Sequence, residues 1–295
     1  MTGAGGLLGS AVVETAMARG HVVIAGVHRV RRAWPTDVHV IPLDLTLPRS
    51  TEKFIEQAQA DWVVHTAAMT DVDRCEQDPA AAIILNVAGT RFLVEAVRTA
   101  PTRVVYLSTD YVFDGEHGPY AEDDPVAPIN VYGRTKYQGE MIVAEDSNRH
   151  VIVRSASFLG SGGHGRRTFV DAMVEKMRQS PPLRAAVDQF SNITPVDYLA
   201  AAIVEVCERG LGGIWHIAGR EVISRYELAR QLAVLSGLPV NVVEGVEYLE
   251  LGRPAVRPLR GGLRVDKAAA ALSTTTPTLA ESLTEWRTAA HTDLP

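Results

Sequence analysis

Gly3-Ala4-Gly5-Gly6-Leu7-Leu8-Gly9 opens the chain, and Ser10 to Ala18 follows with no proline and no further glycine. Glycines at 3, 6 and 9 let the backbone turn tightly and approach a ligand closely. A helix starting there presents unpaired N–H groups and a partial positive charge, which suits a diphosphate. Gly3, Gly6, Leu7, Leu8 and Gly9 are therefore the expected dinucleotide loop. Taken alone, the pattern equally describes a flexible glycine-rich start.

Such a loop should follow a strand, yet only Met1 and Thr2 precede it. The first strand therefore reads as truncated, with Met1 an internal or misassigned start. Further along, Val22–Val27, Val38–Leu43, Asp61–His65, Arg103–Ser108 and Val151–Arg154 read as strands. Pro79–Thr99 and Tyr132–Ala144 read as helices, the first from apolar residues recurring at three and four. Strand–helix alternation implies βαβ units and a doubly wound parallel sheet of the Rossmann type. After Ser155 the texture changes. A glycine-rich loop (Gly160–Gly165), a helix at Arg167–Gln179, another at Arg225–Ser236 and a Pro/Gly/Arg-rich loop at Leu249–Gly262 read as a smaller α/β lobe. The expected division is 1–155 with 191–218 for the dinucleotide, and 156–190 with 219–295 for the substrate.

The stretch after the second strand position, Gly26-Val27-His28-Arg29-Val30-Arg31-Arg32, has three arginines and no acid. A carboxylate there would bond a ribose 2′-hydroxyl; a guanidinium pairs with a 2′-phosphate. NADPH is expected, through Arg29, Arg31 or Arg32, with NADH left open.

Tyr132-Gly-Arg-Thr-Lys136 sets a phenol and an ammonium four residues apart, on one helix face. Of eight tyrosines, only Tyr132 has a lysine at that spacing. An ammonium beside a phenol should lower its pKa and suit it to protonate a carbonyl oxygen. The run Val104-Val105-Tyr106-Leu107-Ser108-Thr109-Asp110-Tyr111 takes a buried strand straight into hydroxyls and a carboxylate. Ligands in open α/β sheets sit at such strand ends, so Thr109 is placed to donate to a substrate oxygen.

The totals narrow the classes. The 295 residues are 46% hydrophobic and 22% charged, with net charge −6, which gives no basic face for nucleic acid or a membrane surface. Cys75 and Cys207 have no metal-ligand spacing and no disulfide framework. No secretory signal is visible, and no apolar run approaches the roughly 20 residues of a bilayer span. A cytoplasmic protein is expected.

Gly3–Gly9, Thr66-Ala67-Ala68-Met69-Thr70-Asp71-Val72-Asp73, Asn86–Thr90, Ser108–Gly115, Tyr132–Lys136, Arg154-Ser155, Asp188-Gln189, Thr194-Pro195 and Arg257-Pro258 together span nearly the whole chain. In this order the chain resembles the extended short-chain dehydrogenase/reductases, specifically the dTDP-4-dehydrorhamnose reductase group. The resemblance implies Thr109, Tyr132 and Lys136 as the catalytic set, with Lys136 also holding the nicotinamide ribose. It implies Asp44 and Leu45 beside the adenine, Ala67 and Ala68 along the cofactor crevice, and Asn86 supporting the Lys136 side through a water. Thr70, Asp71, Val72, Asp110 and Tyr111 fall on the substrate side. Arg154 and Arg257 could meet the substrate diphosphate, because the guanidinium fork suits paired oxygens.

The implied reaction is hydride transfer from NADPH to C4 of a nucleotide-linked 4-keto-6-deoxysugar, and a homodimer is left open. The related dehydratases resemble Thr-Asp-Glu at the strand end, where this chain has Tyr111. Some rhamnose-type reductases carry a metal-linked glutamate where this chain has Ala11, so no metal is expected. Two other readings stand beside the reductase. One is a non-catalytic NADP-binding regulatory subunit resembling that of methionine adenosyltransferase. The other is a sugar-nucleotide epimerase or dehydratase that recycles bound NAD.

Overall fold

A computed structural model describes residues 1–29, 34–98, 100–145, 150–160, 168–179 and 181–292. Arg31 and Arg32 lie outside the described residues, as does most of the 160–165 loop.

Five parallel strands follow the sequence expectation within a residue or two: β1 (Val23–Val27), β2 (Val38–Pro42), β3 (Trp62–His65), β4 (Arg103–Thr109) and β5 (His150–Ser155). Short β6 (Phe158–Leu159), β7 (Leu183–Ala186), β8 (Phe190–Asn192) and β9 (Thr194–Pro195) come next, then β10 (Gly213–His216), β11 (Val222–Ser224) and β12 (Val243–Val246). β3, β4, β5 and β10 form one ladder in the order β10-β5-β4-β3, and β1 pairs only with β2. Thr2 bridges Gly26 of β1 and His65 of β3, both in parallel sense. The sheet order is thus β2-β1-(Met1–Thr2)-β3-β4-β5-β10, a doubly wound sheet.

Met1 and Thr2 are bonded to both neighbouring strands. The Met1 amine donates to Ile24 O at 2.9 Å, Gly26 N to Met1 O at 2.7 Å and Thr2 N to Val64 O at 3.0 Å. Thr2 Oγ1 lies 2.7 Å from His65 Nδ1, whose Nε2 lies 3.1 Å from Thr90 Oγ1. Beside Met1, a cavity of about 480 Å³ opens between β1 and β3, lined by Met1, Val12, Val23, Phe54, Val63 and Val204 among others. Burial holds the Met1 amine down at about 5.

Helices cover both faces. On one, α1 (Leu7–Ala18) packs Leu8, Ala11 and Val12 against Leu199, Ile203 and Val206 of α8 (Val196–Glu208). On the other lie α2 (Pro48–Ala58), α3 (Val72–Gln77), α4 (Pro79–Ile83), α5 (Gly89–Val97) and α6 (Val131–Ala144), with Phe54, Leu93, Tyr106 and Ile142 in one core. Each such apolar side chain contributes about 1.5–3 kcal/mol on leaving water. α2 starts with Pro48 at its first position, and α6 is capped by Asn130, which accepts from Gly133 N.

The stretch Pro79–Val97 is helical throughout, 19 residues at a mean hydropathy of 1.6, long and apolar enough to cross a bilayer by those measures. It nevertheless carries Asn86, Arg91 and Glu95, and Leu93, Val94 and Val97 are buried in the protein core. A π-helical turn at Ile84–Ala88 interrupts its α-helical spacing.

The smaller lobe has its own core. Val170, Val174 and Met177 of α7 (Phe169–Gln179) meet Leu228, Leu232 and Ala233 of α9 (Arg225–Leu235), with Leu283 and Trp286 of the last helix beside them. Strand β8 crosses between lobe and sheet, pairing with β11 just ahead of Thr194 and α8.

Candidate active site

The glycine turn has the form the sequence predicts. Gly3 sits at φ +66°, where a side chain would be strained, and a Cβ on Gly9 would stand 2.1 Å from Gly3 O. α1 begins at N-cap Gly6 with no side-chain cap, so its first-turn N–H groups keep their capacity for an anion. Leu7 is half-buried, whereas Leu8 points into the sheet core. The loop therefore fits a dinucleotide diphosphate: glycine where a side chain would collide, and an uncapped helix start. Arg29 is exposed immediately past the end of β1. Asp44, past β2, accepts from Thr46 N and Oγ1 at 2.9 and 2.7 Å and lies 3.6 Å from His28 Nε2. Those bonds hold its carboxyl below the ordinary range. Leu45 is buried beneath Gly89. Ala67 and Ala68 leave the end of β3 half-buried, with Ala67 N 3.4 Å from Thr2 Oγ1.

α6 approaches β4 closely through small residues. A Cβ on Gly133 would fall 2.1 Å from Tyr111 O, so the first turn of α6 rests directly on the segment after β4. Thr109 and Tyr132 are brought together there, close enough for Thr109 to offset part of the rise in the Tyr132 phenol's pKa. Thr109 Oγ1 also lies 3.2 Å from Asp110 Oδ1, and Ser191 Oγ donates to Asp110 Oδ2 at 3.1 Å. Burial raises the Asp110 carboxyl to about 6. Tyr111 meets the Tyr132 ring edge-on, centroids 5.9 Å apart.

Burial, rather than Lys136, sets the direction of the Tyr132 shift. The Lys136 ammonium lies 4.0 Å from the centroid of the Tyr106 ring, and burial lowers it to about 7. The Tyr132 phenol is pushed well above its ordinary value by desolvation, only partly offset by Thr109. Helical spacing puts the two residues on one face, but it does not set how far an unpaired ammonium reaches.

Asn86 reaches the Lys136 helix directly, through Thr135. The π turn swings it inward, where its amide accepts from Met69 N at 2.7 Å and donates to Met69 O and Thr135 Oγ1, each at 3.1 Å. It ties the Ala67–Met69 loop directly to α6 between Tyr132 and Lys136. Thr70 is exposed, and Asp71 caps α3 by accepting from Arg74 N, ahead of half-buried Val72.

Arg154 is a correction. It was expected at the substrate diphosphate, but its guanidinium is 3% exposed and bonded to Glu140 through Nε (2.9 Å) and Nη2 (2.8 Å). Ser108 Oγ donates to the same carboxylate. Forked pairing to a buried acid uses the geometry a diphosphate would need. Glu140, on α6 one turn beyond Lys136, was missed by sequence reasoning; its position four residues on was the available signal. Arg257 sits at the mouth of the crevice with Nη1 2.5 Å from Asp73 Oδ1 and 2.7 Å from Ala255 O. Arg225, also unforeseen, bonds Ser157 Oγ through Nη2 at 2.5 Å.

Among the described residues, no group of three or more His, Cys, Asp and Glu side chains is arranged to hold a metal ion.

Comparison with known proteins agrees with this architecture over its full length. The family model described as "RmlD substrate binding domain" matches residues 1–291. A dTDP-4-dehydrorhamnose reductase of Mycobacterium tuberculosis is 32% identical over 100% of this chain and 91% of its own. The crystal structure of a dTDP-4-dehydrorhamnose reductase from Clostridium acetobutylicum superposes with a TM-score of 0.86 at 30% identity, covering 98% of each chain. That of the Bacillus anthracis reductase in complex with NADP gives 0.82 at 27% identity, over 97% and 96%. A match that runs from the glycine turn into the last helix, with the Thr109, Tyr132 and Lys136 elements in place, leaves one assignment: the chain belongs to the RmlD substrate-binding-domain family, alongside the dTDP-4-dehydrorhamnose reductases.

Proposed function

We propose that this protein is an NADPH-dependent reductase of a nucleotide-linked 4-keto-6-deoxysugar. The observation that carries the reading is the meeting of Thr109 and Tyr132 at the carboxyl end of β4, beside an uncapped glycine turn that fits a dinucleotide. Bound NADPH supplies the hydride that reaches C4 of the sugar. Tyr132 gives its phenolic proton to the C4 oxygen, and Thr109 donates a hydrogen bond to that oxygen. A phenol held above its ordinary pKa keeps its proton until negative charge develops next to it, which suits a general acid. Lys136, near the edge of neutrality in its buried place, gains a full charge once a ribose hydroxyl or a developing phenolate is beside it.

Gly3, Gly6 and Gly9 would hold the cofactor diphosphate, Arg29 the 2′-phosphate, and Ala67 and Ala68 the crevice wall. Residues 1–155 and 191–218 would carry the dinucleotide, and 156–190 and 219–295 the sugar nucleotide. We place the enzyme in the cytoplasm, acting on a soluble sugar nucleotide.

The test is oxidation of NADPH, and separately NADH, followed at 340 nm against a panel of dTDP- and UDP-linked 4-keto-6-deoxysugars. One substrate should be turned over with NADPH preferred. No turnover of any member, with cofactor binding intact, would overturn the reductase reading.

A further inference from the structure

Three arginines approach the carboxyl ends of β4 and β5. Arg154 is neutralised by Glu140, and Arg257 by Asp73. Arg225 is the third, and among the described residues no carboxylate forms an ion pair with it. Its Nη2 is satisfied by Ser157 Oγ at 2.5 Å, and its guanidinium lies 4.7 Å from the centroid of the Phe169 ring. Its Nη1 is buried and has no hydrogen-bond partner. A buried donor on a cation is costly to leave unmade, and native proteins rarely do so without a ligand, ion or water to meet it. Burial lowers the guanidinium below its ordinary value, partly offset by the Tyr111 phenol, which also hydrogen-bonds to it, and by the Asp110 carboxylate.

The position is informative as well. Arg225 begins α9 in the lobe, and its own N–H is tied to Gln189 O at 3.0 Å, so the side chain is delivered from the lobe toward the sheet. Ser157 lies just past β5, and Tyr111 just past β4, next to the Tyr132 ring. Arg225 therefore stands in the crevice where lobe and sheet meet, on the same strand ends as Thr109.

We propose that Arg225 is an anion-anchoring residue of the substrate pocket, with Nη1 taking a phosphate oxygen of a nucleoside diphosphate. This rests on the sugar-nucleotide reading and deepens it. Ser157 and the Phe169 ring hold the guanidinium plane, so the free edge is set before the ligand arrives. Arg257, whose charge also reaches Tyr111, is already paired with Asp73, which leaves Arg225 as the cation available to the ligand. The expected recognition is of the diphosphate rather than of the base.

The experiment is calorimetric titration of dTDP, of inorganic pyrophosphate and of thymidine into the full-length protein, Arg225→Gln and Arg225→Lys, with melting curves as the folding check. Arg225→Gln should weaken dTDP about ten- to a hundredfold and abolish measurable pyrophosphate binding, leaving thymidine unchanged. Arg225→Lys should fall between, because it keeps the charge and loses the fork. Folded Arg225→Gln binding dTDP as tightly as the parent overturns the proposal. If both variants misfold, a crystal structure of the unaltered chain with dTDP decides: phosphate oxygen at Nη1 supports it, and phosphate elsewhere overturns it. Arg225-dependent dTDP binding without turnover of any keto-sugar would sink the reductase reading alone. Turnover with unchanged kcat/KM in Arg225→Gln would sink this proposal alone.

Discussion

Tyr132 and Asp110 sit one residue contact apart through Thr109, and burial moves both groups the same way, toward the protonated form. For Tyr132 this suits the proposed role, since a proton donor must hold its proton at working pH. Tyr132→Phe should remove nearly all turnover while leaving the NADPH titration close to that of the parent. Retention of more than a small fraction of the rate would show that another group is the acid. For Asp110 the consequence is a pH-linked destabilisation. Its folded pKa, about 6, lies above the ordinary 3.8, so its contribution to stability is fully present below pH 3.8 and is lost as pH rises through 6. The shift of roughly two units corresponds to about 3 kcal/mol in order of magnitude. His65 and His216 work in the opposite sense. Each is held down to about 3 by burial, so their contribution is present above 6.5 and is lost as pH falls toward 3. The difference between Asp110→Asn and the parent isolates the carboxyl: the variant should melt higher at pH 8, with the gain shrinking toward pH 4. A gain independent of pH would exclude Asp110 as its source.

At the level of elements, the site is built where α6 crosses the ends of β4 and β5. Glu140 fastens that crossing by taking both nitrogens of the Arg154 fork and the Ser108 hydroxyl. Removing one partner of such a buried pair leaves the other charge stranded, at a cost of about 3–5 kcal/mol. Glu140→Gln should therefore unfold at lower urea by that amount, and adding Arg154→Met should restore part of the loss. Additive losses in the double variant would mean that the two side chains do not act as a pair. The expected long helix at 79–99 shows why such links escape a linear reading. Its apolar period predicts one α-helix, and helix it is. The π turn at Ile84–Ala88, however, adds a residue to the turn and rotates Asn86 toward Met69 and Thr135. Hydrophobic spacing reports which face is buried, and one inserted residue within a turn barely alters it.

At the scale of the whole molecule, Thr2 bridges β1 and β3 in parallel sense and so joins the two halves of one doubly wound sheet. A cavity of about 480 Å³ lies between β1 and β3, lined by Phe54, Val63 and Val204 among others, while helices on both faces bury the rest of the sheet.

Local chemistry was enough to read much of this protein from its sequence. Short apolar runs alternating with helical segments located β1 to β5 and α6 within a residue or two, because each element must bury apolar side chains whatever surrounds it. The glycine turn and the Tyr132–Lys136 spacing were legible for the same reason: backbone freedom and helical geometry are properties of a few consecutive residues. What the arginines do was not local. Arg154, Arg225 and Arg257 look alike as sequence, and only the packing of lobe on sheet commits the first to Glu140, ties the third to Asp73 and leaves the second with a free buried edge. A charge is spent or kept by what lies within hydrogen-bond reach, and for these residues that partner comes from distant chain: Asp73 lies 184 residues from Arg257, and Ser157 lies 68 from Arg225.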